Sequence, residues 1–208
     1  MKQTQSTHRL SLPKWIVGFS DVTVLHSHLN TMGFQSIHGI MPVSVKATEG
    51  AKESLRKAMF GEHLEYTVPC ENMNRLGTAK GELVGGNLSI LYSLFGSVSA
   101  IDCTDKILFI EDLDEYLYHI DRMMMNLKRN GCLDSLKGII VGGMTKMNDN
   151  EIPWGKNALE IIDDITRIYN IPIIYNFPAG HMADNHALIF GRQVMIEVND
   201  LDSKVIFE

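Results

Sequence analysis

Residues 13–32 read Pro-Lys-Trp-Ile-Val-Gly-Phe-Ser-Asp-Val-Thr-Val-Leu-His-Ser-His-Leu-Asn-Thr-Met, and the fold is decided by how this stretch is parsed. Residues 13–19 form an apolar run of strand length that ends in Gly18-Phe19-Ser20. Val22, Leu25, Leu29 and Met32 then recur at spacings of three and four, which predicts a helix over 21–32. A strand, a sharp turn carrying serine and a helix together make a nucleophile elbow. Such a turn lifts the Ser20 hydroxyl clear of the backbone. The helix start behind it offers free N–H groups to a developing oxyanion, that of Asp21 first. Val22 stands where Gly-x-Ser-x-Gly has its second glycine. A plain strand-to-helix turn capped by Ser20 or Asp21 accounts for the same residues without chemistry.

Outward from this stretch, strands and helices alternate. Ile37 to Met41 reads as a second strand, and Glu49 to Phe60 as a helix capped by Thr48 and closed by Gly61. Glu65 to Cys70 reads as a strand, Gly77 to Gly86 is glycine-rich, and Asn87 to Phe95 opens a helix. Lys106 to Ile110 is a buried strand ending in Glu111-Asp112. Asp114 to Asn130 is an amphipathic helix with Leu117, Ile120, Met124 and Leu127 on one face. A strand at 138–142, a helix at 156–169 and a strand at 171–177 follow, leading into the loop Pro178-Ala179-Gly180-His181. Two strands close the chain, 187–199 bent at Gly191, and 203–208. The alternation implies an α/β sheet with an antiparallel finish. The texture changes near 61–66, which divides the chain into 1–62 and 63–208.

The chain has 208 residues, 45% of them hydrophobic, enough for a real core. A net charge of −6 excludes a general nucleic-acid binder, which needs a basic face. No apolar run approaches a membrane span, and residues 1–11 hold no signal-peptide core. Three cysteines, Cys70, Cys103 and Cys132, lie far apart with no Cys-x-x-Cys. Their odd number fits inert thiols in a reducing compartment, not a disulfide framework.

In open α/β sheets, ligands gather beyond the carboxyl ends of strands. Ser20, Glu111 and His181 all stand at such ends, and they supply a nucleophile, an acid and a base. A serine hydroxyl needs a base to take its proton, a role His181 can fill. Glu111 can hold the imidazole in the right tautomer and stabilise its protonated form. Against this, Glu111-Asp112 reads equally as a solvated strand end before a helix, and His181 as a loop histidine bonded to backbone. His26 and His28, two apart on a helix, point in different directions. His181, Asp184 and His186 match no strong zinc signature. Gly85-Gly86-Asn87 lacks the lysine of a P-loop, so a tight turn before a helix accounts for it. The twelve methionines read as core filling.

Five segments in register carry a further signal: Gly18-Phe19-Ser20-Asp21-Val22-Thr23, Gly81-Glu82-Leu83-Val84-Gly85-Gly86-Asn87-Leu88, Leu108-Phe109-Ile110-Glu111-Asp112, Ile120-Asp121-Arg122-Met123 and Gly180-His181. Together they resemble the LD-carboxypeptidases, serine peptidases that include muramoyl-tetrapeptide carboxypeptidases and microcin C self-immunity peptidases. The resemblance covers about Pro13 to Ile196. It implies that Ser20 is the nucleophile and that Glu111 and His181 complete the triad. It implies a cytoplasmic enzyme of peptidoglycan recycling that releases terminal D-alanine from a muropeptide tetrapeptide, often as a homodimer. No metal or organic cofactor is implied, nor any nucleic-acid or membrane partner.

The implied fold is a flavodoxin-like N-terminal domain followed by a swivelling β/β/α C-terminal domain. Family members carry a long segment before the Gly-x-Ser-Asp turn, including a Gly-Gly-rich loop with a second oxyanion N–H; here nineteen residues precede Ser20. The expectation is therefore a remnant N-terminal domain with an uncovered strand edge and apolar surface. Loss of one oxyanion donor costs turnover about 10²–10³-fold. Two other readings stand beside the carboxypeptidase: a non-catalytic domain that folds and pairs, and an amide hydrolase of the self-immunity type. Carboxypeptidase action also needs a group that grips a terminal carboxylate, and no arginine in the sequence is assignable to it.

Overall fold

The computed structural model describes residues 14–44 and 46–208. The lead-in at 1–12 and the start of the first strand at Pro13 lie outside them. The described elements are β1 (Val17–Gly18), α1 (Thr23–Thr31), β2 (Ser36–His38), α2 (Glu49–Phe60), β3 (Glu65–Pro69), β4 (Gly77–Asn87), α3 (Leu88–Leu94), β5 (Ile107–Leu113), α4 (Leu117–Arg129), β6 (Gly138–Thr145), α5 (Ala158–Thr166), β7 (Ile173–Ile174), β8 (Leu188–Phe190), β9 (Gln193–Val198) and β10 (Asp202–Phe207). Among the described residues these strands form two sheets. The larger runs β3-β10-β9-β4-β5-β6-β7 and the smaller β1-β2-β8.

β5 shows that the parallel part of the larger sheet is buried on both faces. Its run Ile107-Leu108-Phe109-Ile110 is fully buried, as a parallel strand with cover on each side must be. Side chains alternate across the pleat. Leu108 and Ile110 pack with Ile120, Met124 and Leu127 of α4 and Ile161 and Ile162 of α5. Ile107 and Phe109 pack on the other face with Ile37, Ile189, Phe190 and Ile196. β4, β5, β6 and β7 pair in parallel, whereas β9 pairs antiparallel with β4 and β10 antiparallel with β9. The fold is thus a mixed α/β architecture with an antiparallel finish.

Several elements differ from the sequence reading for local reasons. The strand expected at 187–199 is two strands in different sheets, because Gly191 turns the chain between them at φ +82°. A side chain would be strained at that angle. β8 therefore pairs with β2, beside the strand that leads to Ser20. The helix expected from Asp114 begins at Leu117, since Asp114 sits at φ 61° and Asn148 ties down its carbonyl and carboxylate. The strand expected over 171–177 keeps only Ile173–Ile174: the Tyr175 N–H goes to the Asn74 side chain, and Asn176 turns at φ 54°. Gly85 and Gly86 lie inside the long β4, not in a turn. The Thr48 cap and the left-handed Gly61 bound α2 as expected.

α1 presents an inverted face. Leu25 and Met32, half of the apolar spacing that signals the helix, are exposed. Its buried residues are Thr23, His26 and Ser27, held by hydrogen bonds to Asn87, Ser36, Gly18 and Ser99. Ile16, Val24 and Phe34 add to the exposed apolar surface, and among the described residues no strand pairs with the outer edge of β1.

The cysteine reading is corrected outright. Cys103 and Cys132 are bonded as a disulfide, with Cα atoms 5.1 Å apart across a separation of 29 residues. One lies just before β5 and the other just after α4, so packing α4 on the sheet brings them together; Cys70 remains free. Sequence spacing alone carries no trace of that contact. The inference of a reducing compartment loses its ground with it.

Candidate active site

The three residues singled out above lie toward the carboxyl side of three different segments: Ser20 after β1, Glu111 near the end of β5, and His181 in the loop after β7. Glu111 is fully buried, and its Oε2 accepts hydrogen bonds from His181 Nδ1 at 2.7 Å and from the His181 backbone N–H at 3.2 Å. With Nδ1 so engaged, Nε2 is the nitrogen left to exchange a proton. Burial pulls the His181 imidazole down, but the hydrogen bond and charge of Glu111, helped by the charges of Asp112 and Asp21, outweigh it and set the pKa above the ordinary 6.5. The chain can approach the carboxylate this closely only because residue 180 is glycine. A Cβ there would stand 2.7 Å from Glu111 Oε2 and 2.8 Å from its Cβ, and the backbone has φ +112°.

Ser20 sits at φ 61°, a left-handed conformation that costs a serine energy and is found where function demands it. It opens a short 3-10 turn, Ser20–Val22, that runs straight into α1. Thr23 fixes this turn to the sheet by accepting the Asn87 backbone N–H at 3.0 Å. Gly86 leaves room for it, since a Cβ there would meet Thr23 Oγ1 at 2.5 Å. No hydrogen bond joins Ser20 to His181 among the described residues. The ring of Phe19, next in sequence to Ser20, stands edge-on to the His181 imidazole at 4.9 Å between centroids.

Four residues support the site; Asn185 and His38 carry no sequence signal of their own, while Asn87 and Asp112 stand in segments quoted above but their pairing is not written there. Asn185, almost fully buried, accepts the Gly180 N–H at 2.8 Å and holds the turn that presents His181. Asn87 caps α3 and donates to Asp112 Oδ1 at 2.8 Å, while Asp112 Oδ2 accepts from Ser89 N–H. Burial raises the Asp112 carboxyl to about 6. His38 is fully buried among Phe19, Phe109 and Phe190 with no partner on either ring nitrogen. Burial, with His26 nearby, holds it well below the ordinary value, so it is a neutral core residue.

Other candidates dissolve into structure. His26 bonds Ser36 and Gly18 inside the core, while His28 faces Ser99 near the surface. Asp184 accepts from Thr48 and pairs with His186 at 3.3 Å. Among the described residues no group of three His, Cys, Asp or Glu is placed to hold a metal.

An imidazole braced by a buried carboxylate, and a strained serine at a strand-to-helix turn whose neighbour Phe19 packs on that imidazole, are features of α/β proteins built like serine hydrolases. The chain belongs to the LD-carboxypeptidase family: the family's N-terminal domain model matches residues 4–39 and its C-terminal domain model residues 80–196. It is 34% identical over 187 residues to a Bacillus subtilis protein described as "Probable murein peptide carboxypeptidase", covering 86% of this chain and 58% of that one. It is 26% identical over 203 residues to the murein tetrapeptide carboxypeptidase of Pseudomonas aeruginosa, covering 91% and 64%. The chain thus spans about three fifths of the length of these curated relatives. Its fold matches the crystal structure of muramoyltetrapeptide carboxypeptidase from Oxalobacter formigenes with a TM-score of 0.86 at 23% identity, over 93% of this chain and 68% of that one. The microcin C7 self-immunity protein MccF in complex with aspartyl sulfamoyl adenosine matches with a TM-score of 0.78 at 22% identity, over 94% and 68%.

Proposed function

We propose that this protein is a serine-type LD-carboxypeptidase that releases the terminal D-alanine of a muropeptide tetrapeptide. The Glu111–His181 hydrogen bond carries this reading, with Phe19, next in sequence to Ser20, packed on the imidazole. His181 Nε2 takes the proton of the Ser20 hydroxyl as its oxygen attacks the terminal peptide carbonyl, forming a tetrahedral oxyanion. The Asp21 N–H, at the positive end of α1, donates to that oxyanion. Collapse expels D-alanine as its amine receives the same proton, and water then cleaves the acyl-enzyme by the reverse relay. Glu111 keeps the imidazole oriented and stabilises the imidazolium, in agreement with its raised pKa. A cytoplasmic place in peptidoglycan recycling and pairing as a homodimer follow from the family resemblance. The Cys103–Cys132 bond weighs against the reducing compartment.

Incubating the chain with a muramoyl tetrapeptide and following free D-alanine is the test. The unsubstituted chain releases D-alanine and Ser20→Ala does not; release that survives the substitution rules out the assigned nucleophile. A serine-directed phosphonate probe separates the non-catalytic reading, which predicts an unlabelled Ser20. The likeness to MccF supports a second substrate class, aminoacyl sulfamoyl nucleosides, whose cleavage in place of the tetrapeptide would redirect the assignment.

A further inference from the structure

A cavity of about 500 Å³ opens in front of His181, and Phe19, Lys46, Leu113, Thr145 and Lys146 are among the residues that line it. Two cations thus share a wall with the imidazole. Four of the acids near them are already committed, and Asp21, whose charge reaches His181, does not line this cavity. Glu111 holds His181, Asp112 holds Asn87 and the Ser89 N–H, Asp114 is bound by Asn148, and Asp184 serves Thr48 and His186. Among the described residues neither Lys46 nor Lys146 has a carboxylate within ion-pair distance, as is also true of lysines 14, 57, 128 and 204, whereas lysines 52, 80, 106, 137 and 156 are paired; of the unpaired ones only Lys46 and Lys146 line this cavity. No arginine lines this cavity among the described residues.

Lys146 is also held in place at a cost. Its backbone sits at φ 52°, where a lysine is strained, directly after β6. The preceding residue locks it to the site from two sides. The Thr145 carbonyl accepts the Asp114 N–H at 3.0 Å, and the Thr145 hydroxyl donates to the His181 carbonyl at 3.3 Å. The ammonium therefore hangs from a backbone tied to the same loop as the catalytic imidazole. A pocket lined by two lysines that pair with no carboxylate, beside the reacting centre, is suited to a substrate anion. In a carboxypeptidase the anion nearest the scissile bond is the free terminal carboxylate.

We propose that Lys46 and Lys146 grip the terminal carboxylate of the substrate and so make the enzyme a carboxypeptidase and not an endopeptidase. The inference rests on the hydrolase reading above but is tested apart from it. Binding to Ser20→Ala protein is measured by calorimetry with a muramoyl tetrapeptide ending in D-alanine and with its C-terminal carboxamide. The free acid binds about tenfold tighter than the amide. Adding Lys146→Met or Lys46→Met weakens the acid by about tenfold and leaves the amide unchanged, while Lys146→Arg retains the preference. Both lysines are solvent-exposed, and an unchanged melting temperature confirms folding. Equal binding of acid and amide, equal loss of both on substitution, or no binding of the acid overturns the inference. Release of D-alanine without discrimination sinks the lysine pair alone. Discrimination without release sinks the hydrolase reading alone.

Discussion

Gly180→Ala probes the contact on which the site depends. An alanine methyl at 180 would stand 2.7, 2.8 and 2.9 Å from Glu111 Oε2, Cβ and Cγ. The carboxylate oxygen could swing aside, but the Glu111 Cβ is held by a β5 backbone that pairs with β4 at Glu111 itself and with β6 at Ile110 and Asp112 on either side of it. The overlap costs about 1–3 kcal/mol, and the left-handed backbone about 1–3 kcal/mol more. The total of about 2–6 kcal/mol corresponds to a fall in melting temperature of about 5–20 °C for a chain of this size. Gly33→Ala is the control: its φ is +76°, but nothing lies within 4 Å of the added methyl. It therefore loses only the backbone part, about 1–2 kcal/mol. Thermal denaturation by circular dichroism reads both variants. Nitrogen-detected NMR of the imidazole reads the site, where His181 titrates at lower pH once the Glu111 carboxylate is displaced. A Gly180→Ala protein that melts with Gly33→Ala and keeps its His181 titration would refute the packing argument.

Two further outcomes follow from buried groups. The disulfide closes a loop of about 30 residues, which restricts the unfolded chain by about 3–4 kcal/mol; a reducing agent should lower the melting temperature by about 10 °C, and thiol titration of the unreduced, unfolded chain should find one thiol, three being the refuting count. Asp112 moves from 3.8 when unfolded to about 6 when folded, so its burial carries a stability penalty that grows as pH rises through this window; the protein gains about 2 kcal/mol from this group on going from pH 7 to pH 4. His181, raised above its unfolded value, acts in the same direction: its contribution is complete below the unfolded value and is lost as pH rises through the folded one. Denaturant titrations at several pH values should show Asp112→Asn with a flatter profile than the unsubstituted chain, and an unchanged slope would contradict the assignment.

The parts of the site legible in the sequence are those with a local signature. The apolar run 107–110 ending in Glu111, the Gly-x-Ser turn and the Gly-His loop each stand out because strand ends and turns are written in adjacent residues. The partners that hold them do not. Asn185 reaches Gly180, Thr23 reaches Asn87 and Asn87 reaches Asp112 through contacts that only the folded chain creates. The same reason hides the disulfide. α1 misleads more subtly: its apolar spacing is real, yet its polar residues are the ones that face the sheet, because three buried hydrogen-bonding side chains find specific partners there. Lys46 and Lys146 are invisible in sequence because an exposed lysine gains meaning only from the cavity it lines.

The chain's change of layer at Gly191 sets a schedule for biosynthesis. β2 and its partner β8 lie about 150 residues apart, so the layer that carries the serine turn is left incomplete until the segment with β8 has been made. A nascent chain therefore emerges with β2 exposed and waiting, a template for any passing edge. Ribosome-associated chaperones that shield extended segments would matter most for the stretch that carries β2.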